Sequence, residues 1–527
     1  MADYSSALGG RGFGAPIRFE ADILDCEVVG TIPKDIDGAF YRVGAEWYLP
    51  PTHPDDAILN ADGYASMFRI KNGRVSYKGR WIRTERFEHN LKAGRQLYGY
   101  YRNPYTDDPS ISDPKHPNRR TVSNTAPLVF GGKLYSMKED GLPYELDPNT
   151  LATRKQWNAN GAWKSETFSA HPKLDPMSGE MVAYGYEASG LASDDLYIAT
   201  VAPSGRITDS VTVKVPYVSV IHDMALTHRH VVIPFGGYVT STERLKQGKI
   251  HWGWDQTKPS IIGVIPRGGS AKDMRWFKGP ERCMMHVFNA YSEGNKVILY
   301  APFFDSNFFP FFPPVDGSPW NPAKAKAFIR KITLDLDKPG DNWQEEILWP
   351  TQVGDLGKVD PRVVSLETRY LYTMFGDDSR PVDRDHAVPA NFGKPTNSYL
   401  RFDVHSGQVD RYFAGPSHAL QEVSFVPRAS GREGDGYLVG VCNNYRELRS
   451  ELVIVDAERM GEGDIARVIL PFRISSQVHG VWAARRSCRW SRPGAVAREW
   501  LGQPLLAAQR REIGQQLRVH FGVGALV

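Results

Sequence analysis

Short apolar runs, rather than long helical faces, set the rhythm of this chain. Stretches rich in Val, Ile, Tyr and Phe are broken every few residues by Gly, Pro, Asp or Asn, the mark of strands joined by tight turns. Residues 133–157 show the pattern most clearly: K-L-Y-S-M, Y-E-L, the turn D-P-N-T, then L-A-T-R-K-Q-W. The same logic returns at 436–470 as G-Y-L-V-G-V, S-E-L-V-I-V-D-A and A-R-V-I-L. Seven such passes run roughly through 65–82, 133–157, 181–213, 230–277, 296–348, 369–413 and 436–470. Recurring three- or four-strand units predict an all-β, seven-bladed β-propeller, with two stacked β-domains as the alternative. The longer excursions at 243–260 and 303–323 are expected to be loops that cap one face.

Composition narrows the setting without changing that picture. A length of 527 residues would ordinarily suggest two or three domains, but closed β architectures run long as one unit. A net charge of +4, from 64 basic and 60 acidic side chains, asks for neither nucleic acid nor an acidic partner. Cys26, Cys283, Cys442 and Cys488 stand far apart, so neither a disulfide framework nor a zinc knuckle is indicated, and a reducing cytoplasm is the expected location. The N-terminal M-A-D-Y-S-S-A-L has no apolar core of a secretory signal, and no stretch has the length of a membrane span.

Four histidines carry the candidate chemistry. His171 (S-A-H-P-K-L), His222 (I-H-D-M-A-L-T), His286 (M-H-V-F-N-A-Y) and His479 (V-H-G-V-W) each open a short apolar run, spread over more than three hundred residues. Taken singly, such a histidine is more often a satisfied core side chain. A propeller, however, brings the first strands of its blades to one axis, where four imidazoles would form an all-nitrogen metal site. Imidazole suits Zn, Cu, Fe and Ni. Zinc hydrolases usually keep three protein ligands, whereas four on a six-coordinate Fe(II) leave positions for dioxygen. Histidine ligands normally donate their other N–H to an acid or carbonyl. Candidates are Glu139 (K-E-D-G), Asp355 (G-D-L-G-K) and Glu422 (Q-E-V-S-F-V-P-R), each of which also reads as a solvated turn residue.

These motifs join others in a fixed order: I-P-K-D-I-D-G-A-F-Y-R-V-G (32–44), N-A-D-G (60–63), S-N-T-A-P (123–127), Y-E-L-D-P-N-T-L, H-D-M-A-L-T, H-V-F-N-A-Y, F-V-P-R, G-D-G-Y-L and H-G-V-W. Over about residues 20–482 the chain resembles the carotenoid cleavage oxygenase family. The resemblance implies a seven-bladed propeller with loops and short helices capping one face over a central metal site. It also implies that Fe(II) is held by His171, His222, His286 and His479, and that carbon–carbon double bonds are cleaved with O2. Glu139, Asp355 and Glu422 would then orient His222, His286 and His479. Asp355 replaces the family's usual Glu, and its shorter arm is expected to act through a water.

Within the family, the chain is most similar to the bacterial lignostilbene dioxygenases, through Tyr101 (Y-Y-R-N-P) and Lys138 (S-M-K-E-D-G). Their counterparts there hold the 4-hydroxyl of a stilbene. A buried lysine beside a phenol stabilises phenolate or accepts its proton, and ionisation pushes electron density towards the interphenyl double bond. Thr125 matches a threonine beside the open iron position, and Phe309 matches a residue that packs on the stilbene. Leu59 stands where Phe is common, which widens the pocket. The aromatic run F-F-D-S-N-F-F-P-F-F-P-P (303–314) is expected to be a pocket wall rather than a membrane-facing surface.

The expected function is cleavage of the central Cα=Cβ bond of 4-hydroxystilbenes to two aromatic aldehydes such as vanillin. The partners are a small phenolic stilbene and O2, with a homodimer or isozyme heterodimer as the assembly. Apocarotenoid or phenylpropene (isoeugenol) cleavage and a non-catalytic binding propeller are the alternatives. The sequence divides into a catalytic propeller at 1–482 and a tail at 483–527 with eight Arg, no Lys and two acids, unlike the family pattern.

Overall fold

Inner and middle strands buried on both faces dominate the architecture: every residue of the inner strand Ala126–Phe130 and of the middle strands Met181–Tyr186 and Gly436–Asn444 is buried. Outer strands such as Thr153–Gln156 and Gln344–Leu348 are largely exposed. The computed structural model describes Tyr4 and residues 15–111, 117–386, 396–429, 431–475 and 478–487. Its antiparallel sheets form a seven-bladed β-propeller. In such a fold a middle strand is covered by the blade on either side, which is why these runs are continuously apolar rather than alternating.

Blade 2 comprises Ala126–Phe130, Lys133–Met137, Tyr144–Leu146 and Thr153–Gln156. Blade 3 comprises Lys173–Leu174, Met181–Tyr186, Asp195–Val201 and Ile207–Lys214. Blade 4 comprises Ala225–Leu226, His230–Phe235, Ser260–Pro266 and Arg275–Gly279. Blade 5 runs through Asn289–Glu293, Lys296–Phe304, Ala327–Asp335 and Gln344–Leu348. Blade 6 has Tyr370–Phe375, Ser398–Asp403 and Val409–Phe413, with a single inner bridge between Lys358 and Tyr372. Blade 7 is built on Ser424–Pro427, Gly436–Asn444, Arg449–Asp456 and Asp464–Ile469.

The two ends of the chain interlock. Blade 1 consists mainly of Gly38–Glu46, Asp62–Lys71 and Arg74–Trp81, and takes its innermost strand, His479–Ala484, from the C-terminal side. In that ladder Val43 faces His479. In return, Glu27–Gly30 forms the outer edge of blade 7 against Asp464–Ile469. Residues 483 and 484, on the tail side of the division expected from sequence, are the last ladder residues of blade 1, opposite Ala39 and Gly38. From Cys488 the tail lies outside the described residues, as does that cysteine. Cys26, Cys283 and Cys442 are buried and unbridged.

The hydrophobic clusters sit between consecutive blades. Tyr184 and Ile198 of blade 3 share one with Ile233 and Ile261 of blade 4, and Phe40 and Phe68 of blade 1 share another with Val439 and Ile454 of blade 7. Burial of each such side chain contributes about 1.5–3 kcal/mol. The two excursions read as caps meet: Gly253–Trp254 pairs with Tyr238–Val239, and Trp254 bridges to Pro314. The seven passes match the middle strands. The inner pairs Lys173–Leu174 and Ala225–Leu226 are too short to carry a period and escape a pattern reading. Among the described residues no helix is long and apolar enough to cross a membrane.

Candidate active site

The four histidines come from the inner ends of four blades. His479 begins its strand, whereas His171, His222 and His286 stand just before theirs rather than within them. Their rings converge. Nε2 of His222 lies 3.1 Å from Nε2 of His171 and 3.1 Å from Nε2 of His286, and one ligand atom from each of the four falls within 4.8 Å of the others.

Three of the rings are turned by carboxylates. Glu139 Oε1 accepts from His222 Nδ1. Asp355 Oδ1 lies 2.9 Å from His286 Nδ1, and Glu422 Oε1 lies 2.8 Å from His479 Nδ1. Asp355 therefore reaches its histidine directly, where a water-mediated contact was expected of its shorter side chain. The backbone closes the gap. A Cβ on Gly354 would meet Met374 O at 2.4 Å, and one on Gly357 would meet the Phe288 ring at 2.4 Å, so two glycines let this loop press against the inner face. Every blade thus supplies one group: histidines from blades 1, 3, 4 and 5, and carboxylates from blades 2, 6 and 7.

The electrostatics suit a cation held by Nε2 atoms. Each Nδ1 engaged by a carboxylate leaves Nε2 with its lone pair facing the centre. Among the described residues Nε2 of His479 is buried with no hydrogen-bond partner, a cost that a metal bond would offset. Burial and the neighbouring imidazoles hold His171 well below the usual imidazole range. Burial brings His479 down to about 4 although Glu422 opposes it. At His286 burial pulls the same way, but Asp355 outweighs it and raises the ring. Burial works against ionisation of Glu422, yet Lys358, His479 and the Gly480 N–H bring it to about 2. A group of four imidazoles ringed by ionised acids fits a divalent transition metal.

One residue before Glu139, a buried cation meets a hydrophobic cluster. Lys138 is 1% exposed; its Nζ sits 4.9 Å from the Tyr101 ring centroid and donates to Leu59 O at 3.1 Å. Asn124 Nδ2 donates to the same carbonyl at 2.9 Å, which ties the loop carrying Leu59 to blade 2. Burial lowers the Lys138 pKa although Glu139 and Asp140 counter it, and burial raises Tyr101 well above the ordinary phenol value. Tyr101, Leu59 and Phe309 belong to one hydrophobic cluster with Phe308 and Phe312. None of the six phenylalanines between 303 and 312 is exposed. Asn307 folds that loop inward: its Oδ1 accepts from Phe309 N at 2.9 Å and Tyr238 Oη at 2.8 Å, while its Nδ2 donates to Phe312 O at 2.7 Å. Thr125 is buried, and its hydroxyl is 3.2 Å from Asn124 Oδ1.

Several groups here were not singled out from sequence. Lys358 Nζ stands 3.0 Å from Glu422 Oε1, and Asp223, adjacent to His222 in H-D-M, is buried. Arg102, next to Tyr101, has φ of 54°. It is locked by an ion pair with Glu187, and His251 contacts both Glu187 Oε1 and Arg102 O at 3.0 Å. Adjacency to a chosen residue was the only signal available for Asp223 and Arg102.

Comparison with known proteins agrees with this geometry. The family model described as retinal pigment epithelial membrane protein, RPE65, matches residues 14–484. Lignostilbene-alpha,beta-dioxygenase isozyme III of Sphingomonas paucimobilis is 36% identical over 487 residues, covering 92% of this chain and 98% of that protein. Isoeugenol monooxygenase of Pseudomonas putida is 37% identical over 472 residues, covering 89% of this chain and 96% of that protein. The crystal structure of Pseudomonas brassicacearum lignostilbene dioxygenase superposes with a TM-score of 0.86 at 35% identity, covering 90% of this chain and 98% of that one. With its four converging imidazoles, the chain belongs to the RPE65/carotenoid oxygenase family of non-haem iron enzymes that cleave carbon–carbon double bonds.

Proposed function

We propose that this enzyme cleaves the central Cα=Cβ bond of 4-hydroxystilbenes with one O2, giving two aromatic aldehydes such as vanillin, with Fe(II) on His171, His222, His286 and His479. The observation that carries this reading is the buried Lys138–Tyr101 pair, 4.9 Å from ammonium nitrogen to ring centroid, with Tyr101 in the cluster that includes Leu59 and Phe309. A phenol gives a buried lysine a task that a hydrocarbon substrate would not. Iron, when bound, supplies the activation of dioxygen.

The chain's own residues prepare the substrate. Burial leaves more of Lys138 as the free amine than in an ordinary lysine, able to take the phenol proton, and as an ammonium it then stabilises the phenolate it has formed. Tyr101, its own ionisation suppressed, remains a hydroxyl that donates to the phenolate oxygen. Charge released at the para position reaches the interphenyl double bond through the ring. Phe309 and Leu59 pack on the stilbene skeleton, and Thr125 serves the dioxygen side.

Aldehyde analysis with 4-hydroxystilbene and its 4-methoxy analogue tests the proposal. The methoxy compound is expected to react at least about 10²-fold more slowly; equal turnover overturns the phenolate role. A second reading, cleavage of an isoeugenol-type phenylpropene, rests on the Pseudomonas putida relative and the same para-hydroxyl. Faster turnover of isoeugenol than of any stilbene in the panel would favour it.

A further inference from the structure

His171 differs from the other three ligands, since among the described residues no carboxylate bonds its Nδ1. What steadies its segment is a carboxylate that touches no imidazole. Asp223 is 2% exposed and follows His222 directly. Its Oδ1 accepts from Met224 N at 2.7 Å and from Lys173 Nζ at 2.7 Å, and its Oδ2 accepts from Val287 N at 2.9 Å. Lys173 is two residues beyond His171, and Val287 is one beyond His286. One side chain in blade 4 is therefore bonded to the ligand segments of blades 3 and 5.

We infer that Asp223 is a positioning residue for the metal centre, a clamp that sets the mutual spacing of His171, His222 and His286 through Lys173 and Val287 N. The chemistry of the site demands a carboxylate. Both oxygens face donors, so an amide of the same shape would turn its NH2 either on Lys173 and Met224 N or on Val287 N. A neutral side chain would also leave the Lys173 ammonium without its counter-charge. The clamp lies outside the four ligands and the three acids on their rings, and it owes nothing to the substrate reading.

The test is metal affinity of the chelator-stripped protein for cobalt(II), followed by visible absorption and competition with a chelator, beside thermal midpoints of the metal-free protein. Asp223→Asn is expected to weaken binding by about 10-fold or more, the scale typical of groups that orient ligands, and to shift the cobalt band. Lys173→Met, at a partly exposed position, cuts only the tether to His171 and is expected to weaken binding in the same direction. Lys173→Arg, which keeps the cation and donor, is expected to rescue it. Lower thermal midpoints with cobalt affinity within about twofold of the parent would make Asp223 a structural residue only and overturn the inference. Should Asp223→Asn not fold, unchanged affinity in Lys173→Met overturns it as well.

Discussion

The imidazole ring and the cluster around the buried Lys138–Tyr101 pair are built in contrasting ways. Each group of the ring enters from the inner end of a different blade, and all seven blades contribute one. The pocket is assembled from connections: Leu59 from a short turn within blade 1, Tyr101 from the link to blade 2, Lys138 just past a blade 2 strand, and Phe309 from the blade 5 excursion. Ring residues also stand at strand ends or on connections, but each belongs to a different blade. Pocket residues can change without disturbing a single ladder.

The contrast can be broken at the ring first. His479→Ala is expected to remove iron to near background and abolish aldehyde formation, while anaerobic stilbene binding, read by fluorescence quenching, survives. Loss of binding along with iron would mean that ring and pocket are not separable. Lys138→Met should do the reverse, lowering kcat/KM for a 4-hydroxystilbene by roughly 10²–10⁴-fold with iron content unchanged. Its pH profile sharpens the point. Only the unprotonated amine accepts a proton, so activity rises with pH through the Lys138 pKa, and burial places that limb below the ordinary lysine value of 10.5. The limb should vanish in the Met variant.

Smaller effects probe finer parts of each region. Asp355→Asn is expected to weaken metal binding by about 10–100-fold, measured by chelator competition, because the amide no longer draws the His286 N–H as a carboxylate does. Leu59→Phe should refill the pocket and shift the kcat/KM ratio of an unsubstituted over a ring-methoxylated hydroxystilbene upward by about tenfold, leaving iron content alone. A change in iron stoichiometry there would contradict the independence of the two regions.

The same division governs what could be read from sequence. The middle strands were legible because burial on both faces leaves long apolar runs such as Gly436–Val441. The histidines became legible only as a set, in the company of family motifs. The inner strands Lys173–Leu174 and Ala225–Leu226 and the exchange of edge strands between blades 1 and 7 were not, because two residues carry no period and pairing between chain ends leaves no local trace. Asp355 illustrates another limit. Its side chain is read correctly as short, but its reach depends on how close Gly354 and Gly357 bring the backbone. Asp223 and Lys358 act through contacts across blades, which no spacing along the chain reveals.

The ladder that sets Val43 opposite His479 also imposes an order on biosynthesis. During translation the first three ligands are made long before the fourth, and the strand that receives the fourth, paired on one edge with Asp62–Lys71, keeps its inner edge open until then. The four-imidazole set is thereby complete only once the strand bearing His479 has paired with the strand near the start of the chain.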